Sequence, residues 1–203
     1  MKRIMMCGFI LLSCVSFTLA ETKESDDPQI NFENKLKKIS KINYRSGILG
    51  GGFRDLKWGM IKDDVENIIS SYNENGKLIY CRYYEEAFLY SVHITINEGY
   101  ENINTLLNVF KKKYGKYSTS KDEKVGKSAG GTTWRVRKIY YTWSDKVTKI
   151  EMMNEIDSPL DGDNNSEHSH IEIEYSSIII SKLIDLNNQE ENKLQEQNKL
   201  NKY

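Results

Sequence analysis

Two stretches of helical hydrophobic spacing, each followed by runs that alternate apolar and polar residues, constrain this chain more than any other feature. Ile61, Val65, Ile68, Ile69 and Tyr72 recur every three or four residues and line one face of a helix. Asp63 and Asp64 fall in its first turn, where negative charge suits the positive end of the helix dipole, and Asn75-Gly76 ends it. Ile103, Leu106, Leu107, Phe110 and Tyr114 form the second stripe. Lys111, Lys112 and Lys113 stay outside it, and Gly115 is its stop.

Strand patterns surround the two helices. Phe53-Arg54-Asp55-Leu56-Lys57-Trp58 alternates and opens the domain. The runs 78–84 and 88–97 follow, joined by Glu85-Glu86-Ala87 as a hairpin connection. In the second run Tyr90, Val92, Ile94 and Ile96 point one way, and Ser91, His93 and Thr95 the other. Lys116 to Gly131 is polar and reads as a mobile loop. Three more strands are predicted over 132–143, 147–153 and 170–176, with a long acidic connection over 154–169. Hairpin-length links imply mostly antiparallel pairing. The predicted fold class is therefore α+β, a two-layer sandwich with two helices on one face of the sheet.

The ends of the chain read differently. Lys2 and Arg3 precede an uncharged run from Ile4 to Leu12, and Thr18-Leu19-Ala20 gives a small-residue exit before Glu21. That is the pattern of a secretory signal peptide over 1–20. Leu11-Leu12-Ser13-Cys14 competes as a lipobox with Cys14 as the lipidated residue, although Leu12 stands where a small residue is usual. An uncleaved anchor is the third reading, and Ile4 to Ala20 is at the lower limit for spanning hydrocarbon. Residues 21–52 read as a tether, with Phe32, Leu36 and Ile39 able to share a helical face and Gly50-Gly51-Gly52 as a flexible joint. Residues 53–180 form the domain, and 181–203 a polar helical or disordered tail.

Export decides the cysteine chemistry. Cleavage after Ala20 removes Cys7 and Cys14, and lipidation consumes the sulfur of Cys14, so Cys81 is left without an intramolecular partner. Its place in a strand predicts a buried, inert thiol. The chain has 29 basic and 29 acidic residues, and loss of Lys2 and Arg3 tips the balance to acidic. That excludes the basic excess of a nucleic-acid binder.

Phe53-Arg54-Asp55-Leu56-Lys57-Trp58-Gly59-Met60 with Val65, then Phe110 through Tyr114-Gly115 and Trp143, resembles a loose group of exported bacterial proteins and lipoproteins of unknown function. The Gly59-Met60 and Val65 piece is also similar to the small outer-membrane assembly lipoproteins. Those usually carry a Ser or Thr helix cap after the methionine, where this chain has Ile61. The resemblance implies an envelope location and a fold, and it carries over no catalytic residue.

Two constellations suggest a metal. Counted from Asp161, the oxygens of Asp161, Asp163 and Asn165 fall at positions 1, 3 and 5, and Glu172 falls at position 12, the spacing of a calcium-binding loop. Ser166 stands where that loop needs glycine, and the segment runs into a strand. His168 and His170 with Glu172 and Glu174 share one strand face, and two histidines two residues apart can chelate zinc. His93 would be a third ligand if the two strands adjoin. No Gly-x-Ser-x-Gly elbow is present.

The expected function is a non-catalytic exported envelope protein. It would bind an envelope protein or cell-wall component by a sheet edge or by the face bearing Tyr and Trp, with no nucleic acid and no membrane contact except a lipid at Cys14. The alternative is a zinc- or calcium-dependent extracytoplasmic hydrolase using the His168/His170 segment.

Overall fold

The computed structural model describes residues 25–72, 77–96, 102–127, 131, 133–160 and 168–200. It is an α+β structure dominated by antiparallel sheet. In chain order the elements are α1 (Pro28–Ile39), β1 (Gly52–Phe53), β2 (Leu56–Lys57), α2 (Lys62–Ile69), β3 (Lys77–Tyr84) and β4 (Phe88–Ile96). They continue with α3 (Ile103–Tyr114), β5 (Ser118–Lys127), β6 (Thr133–Ser144), β7 (Thr148–Pro159), β8 (His168–Ser177) and α4 (Ile178–Leu200). β1 and β2 make a small ribbon, and the other six strands pair in the order β3-β4-β8-β7-β6-β5. None of the described helices is long and apolar enough to cross a membrane.

The sheet order follows from where α3 takes the chain. After β4 the helix carries it to the far edge, and β5 through β8 return as a meander until β8 pairs with β4. The two sides of the sheet then differ row by row. Ile79, Ile94, Ile173, Met152 and Tyr141 lie opposite one another across five strands, and Val92, Tyr175, Ile150 and Trp143 form the next row. Both rows sit on the helix side, where Phe110 of α3 meets the rings of Trp143 and Tyr175. The opposite side carries the row Tyr80, His93, Glu174, Glu151 and Thr142. Alternation in each strand thus puts the hydrocarbon between sheet and helices.

α3 carries the stripe expected of it: Leu106, Leu107 and Phe110 are buried, Asn102 Oδ1 caps Asn104 N–H, and Gly115 closes the helix at φ +83°. α2 buries Val65, and Ile61 occupies its N-cap without a side-chain hydrogen bond. The cap is replaced by pairing with a strand. Lys62 N–H donates to the Ala87 carbonyl, and Gly59 N–H to that of Leu89.

The segment read as a tether is structured from Pro28 onward. Asp27 accepts from Gln29 N–H and Pro28 begins α1, the residue pair that favours a helix start. Phe32 and Leu36 are buried, and Phe32 stacks flat on Phe88 at 4.2 Å between centroids. The glycines beyond it are no flexible joint. A Cβ on Gly51 would stand 1.9 Å from the Arg45 carbonyl oxygen, and one on Gly52 1.8 Å from that of Leu56. They are glycine because two backbones meet there. Trp58 anchors the same segment: its indole donates to Thr148 Oγ1 at 2.9 Å, and that hydroxyl donates to the Gly50 carbonyl.

Three other differences have simple causes. The 118–127 part of the expected loop is strand β5, exposed along its whole length. With neither face covered it shows no alternation, and its charges suit a sheet edge. β7 runs on to Pro159 and β8 begins at His168, so the acidic connection is shorter than 154–169. The polar tail is helical from Ile178 to Leu200. A helix was one of the two expectations for the tail, but its first turns bury Ile179, Ile180 and Leu183, so the described residues hold four helices where two were expected on the sheet.

Candidate functional site

On the side of the sheet away from α3, side chains of β3, β4, β8, β7 and β6 form a shallow concavity of about 210 Å³. Among the described residues, strand residues alone line it. Tyr80, His93, Tyr140 and Met153 give it ring and thioether surfaces, and Arg82, Glu151, Glu172 and Glu174 give it charge. The register explains the grouping: Tyr80 faces His93, His93 faces Glu174, and Glu174 faces Glu151, so one row crosses four strands. The next row brings Leu78, Thr95, Glu172, Met153 and Tyr140 beside it.

Tyr80 and His93 are stacked, with centroids 4.7 Å apart and planes 10° apart. Tyr80 is 41% exposed and His93 only 8%, so the tyrosine roofs the imidazole. Glu174 lies beside the imidazole, Oε1 3.5 Å from Nε2, too far for a good hydrogen bond. Nε2 of His93 is buried with no hydrogen-bond partner among the described residues. Ser91 Oγ donates to the same Glu174 oxygen at 2.9 Å. The imidazole of His93 holds the Glu174 carboxyl below its ordinary range against the opposing effect of burial, and the Ser91 hydroxyl and Arg82 charge assist.

This order is the reverse of what nucleophilic catalysis needs. A serine nucleophile must be bonded to its base, and the base to an orienting acid. Here the carboxylate sits between serine and histidine, and Ser91 is wholly buried. Three of the surrounding carboxylates have close basic neighbours. Lys149 meets Glu151 at 2.8 Å, His170 meets Glu172 at 3.6 Å, and Lys138 pairs with Glu155, whose hydrogen bond raises the lysine's ionisation. The face is a group of rings among carboxylates, with lysine partners at Glu151 and Glu155.

The residues suggested for a metal are distributed as follows. Asp161, Asp163 and Asn165 lie outside the described residues, as do Cys14 and the rest of residues 1–20, the segment expected to be a signal peptide. His168, His170, Glu172 and Glu174 do share one face of β8, and β4 with His93 does lie next to it. The register nevertheless pairs His93 with Glu174, four residues from His170. At about 3.3 Å per residue that offset is roughly 13 Å along the strand. Among the described residues no three His, Cys, Asp or Glu side chains gather as a metal site. Cys81 lies half-buried on the helix-facing side of β3, and burial pushes its thiol up to about 11. Little reactive thiolate is present at neutral pH.

Alternation alone placed His93 on this face. Its contact with Tyr80 and the recruitment of Arg82, Glu151 and Met153 depend on strand order, which no local pattern carries. Compared with family models, with curated proteins and with solved structures, the chain matches none.

Proposed function

We propose that this is a non-catalytic exported envelope protein that binds a protein or cell-wall component through the uncovered face of its sheet. The observation that carries the reading is the roofed ring pair, Tyr80 on His93, set in a strand-lined concavity that also holds the carboxylates of Glu151, Glu172 and Glu174. Exposed tyrosine is an economical contact residue, because it offers large area for few rotors. The carboxylates of Glu151, Glu172 and Glu174 beside Tyr80 and Tyr140 favour a segment presenting lysine or arginine, through ion pairing and cation–π contact. The basic start, apolar run and Thr18-Leu19-Ala20 exit support export.

The test uses the full chain, wild type against Tyr80→Glu, as bait for detergent-solubilised envelope and for purified peptidoglycan of the source cell. Wild type retains a component that Tyr80→Glu loses, and added chelator changes nothing. Retention that requires a metal ion, or equal retention by both chains, overturns the reading.

A further inference from the structure

Strands β5 and β6 form one margin of the sheet, and their charges are sorted by side. On the side shared with Tyr141 and Trp143 stand Lys121 and Lys127 of β5 with Arg135 and Arg137 of β6. The register spaces these cations evenly. Lys121 is level with Ile139, Arg137 with Glu123, Arg135 with Val125 and Lys127 with Thr133, so each successive rung on that side carries one cation. At about 3.3 Å per residue they follow one another at roughly 6.6 Å, and the row is roughly 20 Å long. Both lysines are exposed, and the arginine side chains are each 40% exposed. Glu123 is the one carboxylate in the row. It serves both guanidiniums, 3.1 Å from Nε of Arg135 and 3.7 Å from that of Arg137. At these levels β7 adds Asn154, Ile156 and Ser158 and no charge.

Protection of a sheet edge does not require this arrangement. Charge of either sign guards an edge. The other side of the same strands mixes the signs, with Lys124 3.5 Å from Asp122 and Lys138 paired with Glu155. Like charges on successive rungs repel one another, so the row is costly unless an anion meets it.

We propose that this row is the docking track of a linear phosphodiester polymer without bases, of the polyol-phosphate kind, laid along the margin of the sheet. Three observations select that occupant. Four cations in file against one carboxylate call for a polyanion, and a file confined to two strands fits a thread better than the breadth of a lipid surface. Arginines at the two middle rungs suit phosphate, which takes a guanidinium through paired hydrogen bonds. The other positions of the row are Ile139, Glu123, Val125 and Thr133, and none is a ring on which a base of single-stranded nucleic acid could stack. Glu123 is half-exposed, and an exposed ion pair contributes little, so a phosphate displaces it from the arginines. The row lies on the opposite side of the sheet from Tyr80 and does not depend on that contact.

The test is calorimetric titration of the full chain with synthetic oligo(glycerol phosphate) long enough to span the row, repeated over a series of salt concentrations. The expected result is saturable binding whose logarithm falls with that of salt at a slope of about −3, as four phosphate contacts imply. The double variant Lys121→Gln, Lys127→Gln halves that slope and weakens binding at least about tenfold at low salt. Glu123→Gln tightens binding several-fold, because it removes the competing carboxylate. Lys124→Gln, on the other side of β5, and Tyr80→Glu leave binding unchanged. All five side chains are exposed or half-exposed, and a thermal melt checks each fold. Equal affinity for oligothymidylate of the same phosphate number or for phosphatidylglycerol vesicles would overturn the proposal. So would absence of saturation, an ineffective Glu123→Gln, or a loss from Lys124→Gln as large as that from the double variant.

Discussion

The hydroxyl of Thr148 carries a disproportionate share of the attachment between the N-terminal segment and the sheet. It accepts from the Trp58 indole at 2.9 Å and donates to the Gly50 carbonyl, and Trp58 and Thr148 are both wholly buried. Thr148→Val keeps the shape and removes only the hydrogen bonding. The indole N–H is then left buried without an acceptor, at about 1–3 kcal/mol, and the half-buried Gly50 carbonyl loses its donor, at about 1 kcal/mol. The summed cost is about 3 kcal/mol, a large part of the stability of an ordinary domain. Urea unfolding followed by far-ultraviolet circular dichroism measures it. In a Trp58→Phe background the indole donor is gone, so the same substitution costs only about 1 kcal/mol. A cost under about 1 kcal/mol in the wild-type background, or an equal cost in both, would refute this account of the joint.

Three further perturbations have definite signs. Glu86 sits at φ +57° in the β3–β4 turn, so Glu86→Gly raises stability by roughly 1 kcal/mol, read as a shift in urea midpoint at constant slope. Asp145 accepts from the backbone N–H groups of Leu49, Val147 and Thr148; burial works against its ionisation, but these bonds together with one to Ile48 outweigh it and hold the carboxyl below the ordinary 3.8. A depressed folded value means that this stabilisation is complete above about pH 3.8 and is lost as pH falls through the lower folded value. Asp145→Asn therefore costs about 1–2 kcal/mol at pH 7, and the gap to wild type narrows in acid unfolding curves below pH 3.8. Gly59 stands at φ +76°, and a Cβ there would come within 2.8 Å of the Tyr44 ring and 2.9 Å of Phe32, so Gly59→Ala costs at least about 2 kcal/mol by thermal melt.

Periodicity reached those elements whose burial is one-sided. The α3 stripe and the two sides of β4 are as their spacing indicates, because each has one face in the core and one in water. β5 escaped because an edge strand exposed on both sides has no period to display. α1 was undervalued because only Phe32 and Leu36 of its twelve residues are buried, a narrow contact amid charged residues. The glycine run misled for another reason. Composition cannot distinguish glycine used for freedom from glycine used for close approach, and here Gly51 and Gly52 are the second kind. At the candidate site, local sequence carried His93, His170, Glu172 and Glu174 to the correct face, but not their distances. The pairing of His93 with Glu174 rather than His170 is a property of register between strands some eighty residues apart, and it separates the histidines.

The central claim is that this protein works by contact through the Tyr80 face. Its most direct test is site-specific photo-crosslinking in the cell that makes the protein, with a benzophenone side chain at position 80, at 140, or at the exposed Leu194 of α4. The account predicts a common adduct from positions 80 and 140 and none from 194. Adducts from 194 alone, or equally from all three, would place the contact elsewhere and contradict it.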